Sequence, residues 1–230
     1  MNLQLKDTID GSKTFYLPEM NEPYHSLNGA VTESNHVFIH HGLQAQTAAH
    51  PVIFEVGFGT GLNCLLTAAW AEREKRNVFY MGVEKFPLEN SMLRMLNYES
   101  LVSENGTELF SSIHNAEWGC EVQVSTYFRL LKIHADFTRN NLEIPRKYDL
   151  VYFDAFGPDK QPEMWTQDLF CWIYKWMQPE GILVTYSAKG EVRRRLTNAG
   201  FKMEKIPGPP GKKEMLRGIK MPSKLLLPKN

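Results

Sequence analysis

Short apolar runs alternate with segments of helical spacing through most of the chain. Four runs typical of buried strands occupy residues 52–56, 78–84, 148–156 and 181–188. Five segments with apolar residues at helical spacing occupy residues 62–73, 88–98, 107–118, 164–177 and 191–198. Strands that alternate with helices predict a parallel sheet that is covered on both faces. We therefore expect an α/β fold with a doubly wound, mostly parallel sheet.

The first 50 residues follow a different pattern. Two short alternating stretches around Asp10-Gly11 predict a β-hairpin over residues 3–17. The stretch NHVFIHHGL, residues 35–43, predicts another strand. Residues 1–50 are therefore expected to form a small N-terminal β appendage.

The C-terminal part of the chain also departs from the alternation. Residues 201–206 and 214–220 are two strand patterns with no helix between them, which predicts an antiparallel hairpin at one edge of the sheet. The main domain is then expected over residues 51–221, followed by a tail over residues 222–230.

The composition narrows the class of protein. Of 230 residues, 43% are hydrophobic, which is enough for one large α/β domain. The polar N-terminus has no signal-peptide pattern, and no uncharged apolar run reaches the ~20 residues that span a bilayer. Three widely spaced cysteines favour reduced thiols, and the seven histidines show no ligand spacing. We expect a cytoplasmic protein that uses neither a membrane nor a metal ion.

Charge is distributed unevenly, although the formal net charge is zero. Residues 186–230 contain 12 Lys or Arg and 3 Glu, so the first 185 residues carry the compensating acidic excess. A basic C-terminal segment favours an anionic partner, most often a nucleic acid. A solvated surface with ordinary lysines would give the same count, and charge alone does not decide between the two.

A glycine-rich stretch, EVGFGTGLN, joins a predicted strand to a predicted helix at residues 55–63. Its glycines, at positions 57, 59 and 61, let the backbone turn sharply and approach a ligand, while the helix N-terminus presents amide donors. Dinucleotide sites usually have G-x-G-x-x-G around a pyrophosphate. Here the glycines alternate, and the carboxylate of Glu55 precedes them. That arrangement suits S-adenosylmethionine, which carries an ammonium and a sulfonium and no phosphate.

Three further carboxylates stand at the ends of predicted strands. Glu84 can accept hydrogen bonds from two ribose hydroxyls, and Asp136 can accept one from an adenine amino group. Asp154 lies at the carboxyl edge of the sheet, where ligands bind in open α/β folds. A single acid at such a position is usually a helix cap or a loop residue. Four acids together with one glycine loop predict an S-adenosylmethionine site.

Several stretches of the sequence resemble a known family. They are EVGFGTGLN, YFDAFGPDKQPEMW (152–165), VRRRLTNAGF (192–201), GKKEMLRG (211–218) and the upstream segment YHSLNGAVTESNHVFI (24–39). The sequence resembles the class I methyltransferases. Within them it resembles the methyltransferase domains of the bifunctional enzymes that make 5-methylaminomethyl-2-thiouridine at the wobble position of tRNA. That family commonly has D-G-F-A-P where this chain has Asp154-Ala155-Phe156-Gly157-Pro158.

The resemblance implies a Rossmann-like fold and the chemistry of the site. Methyl transfer is expected from S-adenosylmethionine to the primary amine of 5-aminomethyl-(2-thio)uridine in the tRNA anticodon loop, with Asp154 as the catalytic residue that accepts or orients the amine proton. The candidate cofactor residues are Glu55, Gly57, Phe58, Gly59, Thr60, Gly61, Asn63, Glu84, Asp136, Asp154 and Phe156. The candidate RNA contacts are Trp165, Lys189, Arg193, Arg194, Lys212, Lys213 and Arg217. Phe156 and Trp165 are candidates to stack on adenine or on a flipped base.

Two other functions remain open from the sequence. An aminopropyltransferase shares the fold and the acidic strand ends, but it needs acids around a polyamine, which the basic C-terminal segment disfavours. A non-catalytic RNA-binding module with a retained cofactor pocket is disfavoured because all four acids are present. The FAD-dependent oxidase half of the bifunctional enzymes does not fit in 230 residues. We therefore expect a stand-alone transferase with no FAD domain in this chain.

Overall fold

Residues near the N-terminus form a small antiparallel sheet in the computed structural model, which describes residues 2–139 and 141–222. Its strands, in spatial order, are β1 (Gln4–Asp7), β2 (Lys13–Leu17) and β3 (Glu22–Pro23). β1 and β2 pair antiparallel with Gln4 opposite Tyr16, which confirms the predicted hairpin. Of the predicted tail, residues 223–230 lie outside the described residues.

The strand predicted over residues 35–43 is wrong, because most of this segment is helical. Helix α1 (Ala30–Ser34) continues into a π-helical turn (Asn35–His40). The buried positions that share one helix face are Ala30, Glu33, Ser34, Val37 and Phe38. Two of these are polar, so the apolar face is interrupted in the sequence. The clearest apolar pattern left in this part of the sequence is the short run around Phe38, and that pattern is typical of a strand.

An eight-stranded sheet forms the centre of the protein. Its strands are β4 (Val52–Val56), β5 (Val78–Glu84), β6 (Glu121–Ser125), β7 (Phe128–His134), β8 (Tyr148–Phe153), β9 (Met177–Thr185), β10 (Phe201–Pro207) and β11 (Glu214–Lys220). The spatial order is β10-β11-β9-β8-β4-β5-β7-β6. The strands from β9 to β7 are parallel neighbours, whereas β6, β10 and β11 pair antiparallel at the two edges. The predicted mostly parallel sheet and its C-terminal edge hairpin are confirmed.

Helices connect the parallel strands on both faces of the sheet. The remaining α-helices are α2 (Leu62–Glu74), α3 (Asn90–Leu93), α4 (Tyr98–Val102), α5 (Gly106–Asn115), α6 (Gln167–Trp176) and α7 (Gly190–Ala199). The helix predicted over residues 164–177 begins later, because Thr166 adopts an extended conformation and its side chain accepts a hydrogen bond from the Leu169 amide. Within residues 2–139 and 141–222, no helix combines the length and the apolarity that a membrane crossing requires.

The alternation of side chains along each strand produces two hydrophobic cores. On β8, Tyr152 belongs to the core beneath α2, and Phe153 belongs to the core beneath α6. Phe15 and Phe38 of the N-terminal segment are part of the first of these cores. The N-terminal segment is therefore packed against the main sheet. The division of the chain at residue 50 stays a prediction.

The strand order reverses at the centre of the sheet. After β4 the chain adds β5 and β7 on one side, and then β8 and β9 on the other. In open α/β sheets, ligands bind in the crevice at the carboxyl ends of the strands next to such a reversal. A ligand-binding site is therefore expected at the loops after β4 and β8.

Candidate active site

A cavity of about 650 Å³ opens at the carboxyl edge of the parallel strands. The loops that follow β4, β5, β7 and β8 contribute to its wall. Among the described residues, the predicted cofactor candidates that line it are Gly57, Phe58, Gly59, Thr60, Asn63, Glu84, Asp136, Asp154 and Phe156. Only Glu55 and Gly61 of that predicted group lie away from the wall.

The glycine loop is held against the neighbouring strand ends. Gly57 has φ +89°, and a Cβ atom there would lie 2.6 Å from the Asp154 carbonyl oxygen. The loop after β4 and the loop after β8 therefore touch backbone to backbone, which only glycine permits. The Gly59 amide donates to Glu84 Oε2 at 2.9 Å, so the loop is also tied to the end of β5. Gly61 lies at the turn into α2, with φ +74°.

Two of the predicted acids are already held by neighbouring groups. Glu84 accepts a second backbone hydrogen bond, from the Phe86 amide to Oε1 at 2.8 Å. Since a carboxylate oxygen has more than one acceptor site, both oxygens can still receive a hydroxyl. Asp136 accepts hydrogen bonds from the backbone and hydroxyl of Thr138 and pairs with Lys85 at 2.9 Å. The Thr138 hydrogen bonds and Lys85 lower the pKa of Asp136 to about 2.

Asn63 joins the two remaining acids. Its Nδ2 donates to Glu55 Oε1 at 2.9 Å and to Asp154 Oδ2 at 2.8 Å. Glu55 is fully buried, and burial raises the pKa of its carboxyl well above the usual range. This corrects the direct ligand contact expected of Glu55, because among the described residues its side chain is not part of the cavity wall and is linked to that wall by the Asn63 hydrogen bond.

Asp154 is half-buried in the wall of the cavity. Burial raises the pKa of Asp154 to about 7, against the opposing effect of the Asn63 hydrogen bond. Glu33 raises the same pKa further, and Lys212 lowers it. A carboxylate with this pKa can accept a proton near neutral pH, which an ordinary aspartate does poorly.

The residues of the cavity fit S-adenosylmethionine. Asn63 is buried, and its Oδ1 has no hydrogen-bond partner among the residues that the structure describes. An unpartnered acceptor on a residue of the cavity wall suits an ammonium group. Glu84 and Asp136 add acceptors for hydroxyl and amino groups. Together they match a cationic nucleoside better than a phosphate ester.

A second cavity of about 530 Å³ adjoins the first and lies between three loops. These loops are residues 157–160, 186–189 and 212–214. Glu22, Tyr186 and Lys212 line both cavities and form the wall between them. Three of the predicted RNA contacts, Lys189, Lys212 and Lys213, line this outer cavity.

The other predicted RNA contacts differ in accessibility. Arg193 and Arg194 are exposed on α7. Arg217 lines neither cavity among the described residues, and its guanidinium pairs with Glu204 at 2.8 Å. The RNA contact expected of Trp165 is corrected, because this side chain is fully buried. Trp165 instead donates from Nε1 to the Phe156 carbonyl at 2.8 Å and supports the loop after β8 from below.

Several cavity residues escaped the sequence reasoning. Tyr24 and Glu33 line the first cavity from the N-terminal segment, which was expected to form a small β appendage. Tyr186 also lines it and immediately follows β9. Tyr186 could have been predicted as a site residue, because it follows a strand of the parallel sheet. Nothing in the sequence indicated that Tyr24 or Glu33 would lie near Asp154.

A comparison with protein families agrees with this geometry. The model of S-adenosyl-L-methionine-dependent methyltransferases matches residues 106–221. This match covers just over half of the 230 residues. It includes Asp136, Asp154 and the C-terminal hairpin of β10 and β11. The chain belongs to this methyltransferase family. The use of S-adenosylmethionine is thereby established, and the aminopropyltransferase alternative is set aside.

Individual relatives of this methyltransferase carry more specific names. It is 34% identical over 224 residues to the tRNA 5-methylaminomethyl-2-thiouridine biosynthesis bifunctional protein MnmC of Aeromonas hydrophila. That alignment covers 87% of this chain and 33% of the relative. The protein of the same name from Burkholderia multivorans is 30% identical over 222 residues, covering 89% of this chain and 33% of the relative. This methyltransferase therefore spans about a third of the length of these relatives.

One solved structure is similar over nearly the whole chain. The crystal structure of MnmC2 from Aquifex aeolicus superposes with a TM-score of 0.80 at 28% identity. The superposition covers 96% of this methyltransferase and 72% of that chain. The N-terminal segment is therefore largely included in the architecture that the two structures share.

Proposed function

We propose that this methyltransferase transfers a methyl group from S-adenosylmethionine to the primary amine of 5-aminomethyl-(2-thio)uridine at the wobble position of tRNA. The position of Asp154 carries the proposal, since a proton acceptor stands in the wall of the cavity that fits the methyl donor. The relatives named for tRNA 5-methylaminomethyl-2-thiouridine biosynthesis support it further. The methylaminomethyl group in that name is the product of the proposed reaction.

Asp154 has a defined task in this reaction. An alkyl amine is largely protonated near neutral pH, as the pKa of ~10.4 for lysine illustrates. A protonated amine has no lone pair to attack a methyl group. Asp154, with its pKa near 7, can bind the ammonium form and accept its proton. The neutral amine is then available within the cavity.

The same carboxylate is suited to the charge that develops during transfer. Bound S-adenosylmethionine supplies an electrophilic methyl group on its sulfonium. As the amine nitrogen forms its new bond, positive charge appears on that nitrogen. A shielded carboxylate beside the nitrogen stabilises this charge more than it stabilises the neutral amine. Asn63 fixes the Asp154 carboxylate through Oδ2, so its orientation is set before the substrate arrives.

The basic residues around the outer cavity support docking of an anticodon loop. Lys189 and Lys213 line that cavity, and Arg193 and Arg194 are exposed on α7 nearby in sequence. In the proposed complex these side chains contact backbone phosphates, which position RNA without reading its sequence. The wobble base is turned into the cavity, as enzymes that modify a base require.

Anticodon stem-loops of defined chemistry test the proposal. One RNA carries 5-aminomethyluridine at the wobble position, and a matched RNA carries 5-hydroxymethyluridine, which has the same size but lacks the amine. Labelled methyl groups from S-adenosylmethionine should appear in the first RNA and not in the second. Equal labelling of both RNAs, or of neither, would reject the amine as the acceptor.

A further inference from the structure

We infer that Lys212 and Glu33 together recognise the edge of the uracil ring that carries the aminomethyl group. Lys212 donates to the ring carbonyl next to the substituted carbon, and Glu33 accepts from the adjacent ring N–H. This inference rests on the proposed function and deepens it, because it assigns the residues that distinguish uracil from cytosine.

The two side chains form a fixed pair. Lys212 Nζ donates to Glu33 Oε1 at 2.7 Å, and Glu33 Oε2 accepts from the Ser26 amide at 2.9 Å. The Lys212 ammonium also lies 4.1 Å from the centre of the Tyr186 ring, a cation–π contact. Tyr186 is in turn held by its hydroxyl, which donates to the Ala155 carbonyl at 2.8 Å. Donor and acceptor are therefore positioned side by side before any substrate binds.

The pair lies where a base must pass to reach Asp154. Glu33 and Lys212 line the same cavity as Asp154. Lys212 and Tyr186 also line the outer cavity, where the exposed lysines gather. A nucleotide that enters from the outer cavity meets Lys212 and Tyr186 first. The electrostatic effect of Glu33 and Lys212 on the pKa of Asp154 agrees with this proximity.

The chemistry of the pair matches uracil and opposes cytosine. Uracil presents a carbonyl acceptor next to the 5-substituent, followed by a ring N–H donor. An ammonium beside a carboxylate satisfies both groups in that order. Cytosine presents an amino donor and then an unprotonated ring nitrogen, so Lys212 would face a donor and Glu33 an acceptor. Polar groups left unpaired against the base in this way discriminate between the two substrates.

This role is more specific than the RNA contact that the sequence predicted for Lys212, and it differs from the phosphate contacts proposed for Lys189 and Lys213. The charge of Lys212 is already balanced by Glu33, whereas its neighbour Lys213 forms no ion pair among the described residues. A lysine that is already paired with a carboxylate neutralises little phosphate charge when RNA binds. Its replacement should therefore hardly change the salt dependence of RNA binding. Lys213 provides the matched comparison, because it is the same residue type one position away.

Methyl transfer to two anticodon stem-loops, with 5-aminomethyluridine or 5-aminomethylcytidine at the wobble position, tests the inference. Wild-type protein should prefer the uridine RNA. Lys212→Met should lower kcat/KM for the uridine RNA by about 10- to 100-fold, the range of a bidentate base contact, and should reduce the preference. Lys213→Met should lower kcat/KM for both RNAs by the same factor and leave the preference for uridine unchanged. Calorimetric affinity for S-adenosylmethionine should stay at the wild-type value in both variants.

The charge-swapped variant Glu33→Lys with Lys212→Glu separates recognition from a purely structural ion pair. The swap restores an ion pair but exchanges donor and acceptor, so thermal stability should recover relative to Lys212→Met while activity on uridine RNA stays low. Recovery of full uridine activity, or an unchanged base preference in Lys212→Met, would overturn the inference and leave the proposed function standing. A wild-type protein that methylates neither RNA would overturn both.

Discussion

Asp154 is the residue on which the proposed chemistry depends. Asp154→Asn keeps the shape and the Asn63 contact but removes the charge and the ability to accept a proton. Methyl transfer in single turnovers should fall by about 100-fold or more, the scale of a positioned acid–base group. The affinity for S-adenosylmethionine should change much less, because the nucleoside contacts are proposed for Glu84 and Asp136. A near-wild-type rate for Asp154→Asn at neutral pH would show that this carboxylate only supports the loop.

The raised pKa of Asp154 predicts a pH dependence of the rate. Proton acceptance requires the ionised form, so the single-turnover rate of the wild-type protein should rise as pH increases through about 7. In Asp154→Asn this step should disappear, and the residual rate should rise more gradually as solvent removes the amine proton. A wild-type profile that is flat between pH 6 and 8 would contradict the role of Asp154 as the acceptor.

The same shift predicts a pH dependence of folding stability. The pKa of Asp154 in the folded protein lies above its ordinary value, so the folded state favours the protonated carboxyl. This contribution is present at acid pH and is lost as pH rises through about 7. Asp154→Asn should therefore gain free energy of unfolding relative to wild type at pH 8, and much less at pH 5. Urea denaturation at the two pH values measures the difference in free energy of unfolding between the variant and the wild type. A difference that does not change with pH would contradict the raised pKa of Asp154.

Glu84 offers a separate test of the cofactor assignment at the residue scale. Glu84→Ala removes the acceptor expected for the ribose hydroxyls as well as the contact to the Gly59 amide. Affinity for S-adenosylmethionine should fall by about 10-fold or more, the scale of hydrogen bonds to a charged group. Isothermal titration calorimetry measures this change, and circular dichroism checks that the variant is folded. An unchanged affinity would remove Glu84 from the site.

At this scale the sequence was informative for some residues and not for others. Glu84, Asp136 and Asp154 were predictable because each acid lies at or just after the end of a strand, and parallel strand ends meet at one edge. Glu33 was not predictable, because its place in the cavity depends on how the N-terminal segment crosses the sheet. The burial of Trp165 was likewise not visible, since a tryptophan next to a site in sequence can face either the ligand or the core.

At the scale of elements, the glycine loop is the most sensitive segment. Gly57→Ala would place a Cβ atom 2.6 Å from the Asp154 carbonyl in a residue with φ +89°. The loops after β4 and β8 should separate, and binding of S-adenosylmethionine should be lost. Gly119→Ala is the matched control, because its φ is +81° and no atom lies within 4 Å of the added Cβ. Equal cofactor affinity in the two variants would show that close loop contact is not required.

The helices and strands could be predicted to different degrees. The parallel strands were clear because both faces are buried, which gives continuous apolar runs such as VYF in β8. The helix that begins at Ala30 was missed because Glu33 and Ser34 occupy its buried face. One of these polar residues, Glu33, pairs with Lys212 at the wall of the cavity. Hydrophobic periodicity cannot reveal a helix whose buried side is partly polar.

At the scale of the whole molecule, the basic C-terminal segment predicts how RNA binds. Lys213→Gln combined with Arg193→Gln should weaken binding of an anticodon stem-loop and lower the log–log salt slope by ~0.7 for each lost phosphate contact. Arg129→Gln is the control, because Arg129 is an exposed residue of β7 near the opposite edge of the sheet. Fluorescence anisotropy across a salt series measures the slopes. A double variant with the wild-type slope would identify these residues as ordinary solvated surface.

The most direct test of the proposed function identifies the atom that receives the methyl group. The protein is incubated with tRNA that carries 5-aminomethyl-2-thiouridine at the wobble position and with S-adenosylmethionine, and the digested nucleosides are analysed by mass spectrometry. We predict a single new nucleoside, 5-methylaminomethyl-2-thiouridine, with the added methyl on the nitrogen of the side chain. A methyl group on the base, on the ribose or on another nucleotide, or an unchanged nucleoside profile, would contradict the proposal.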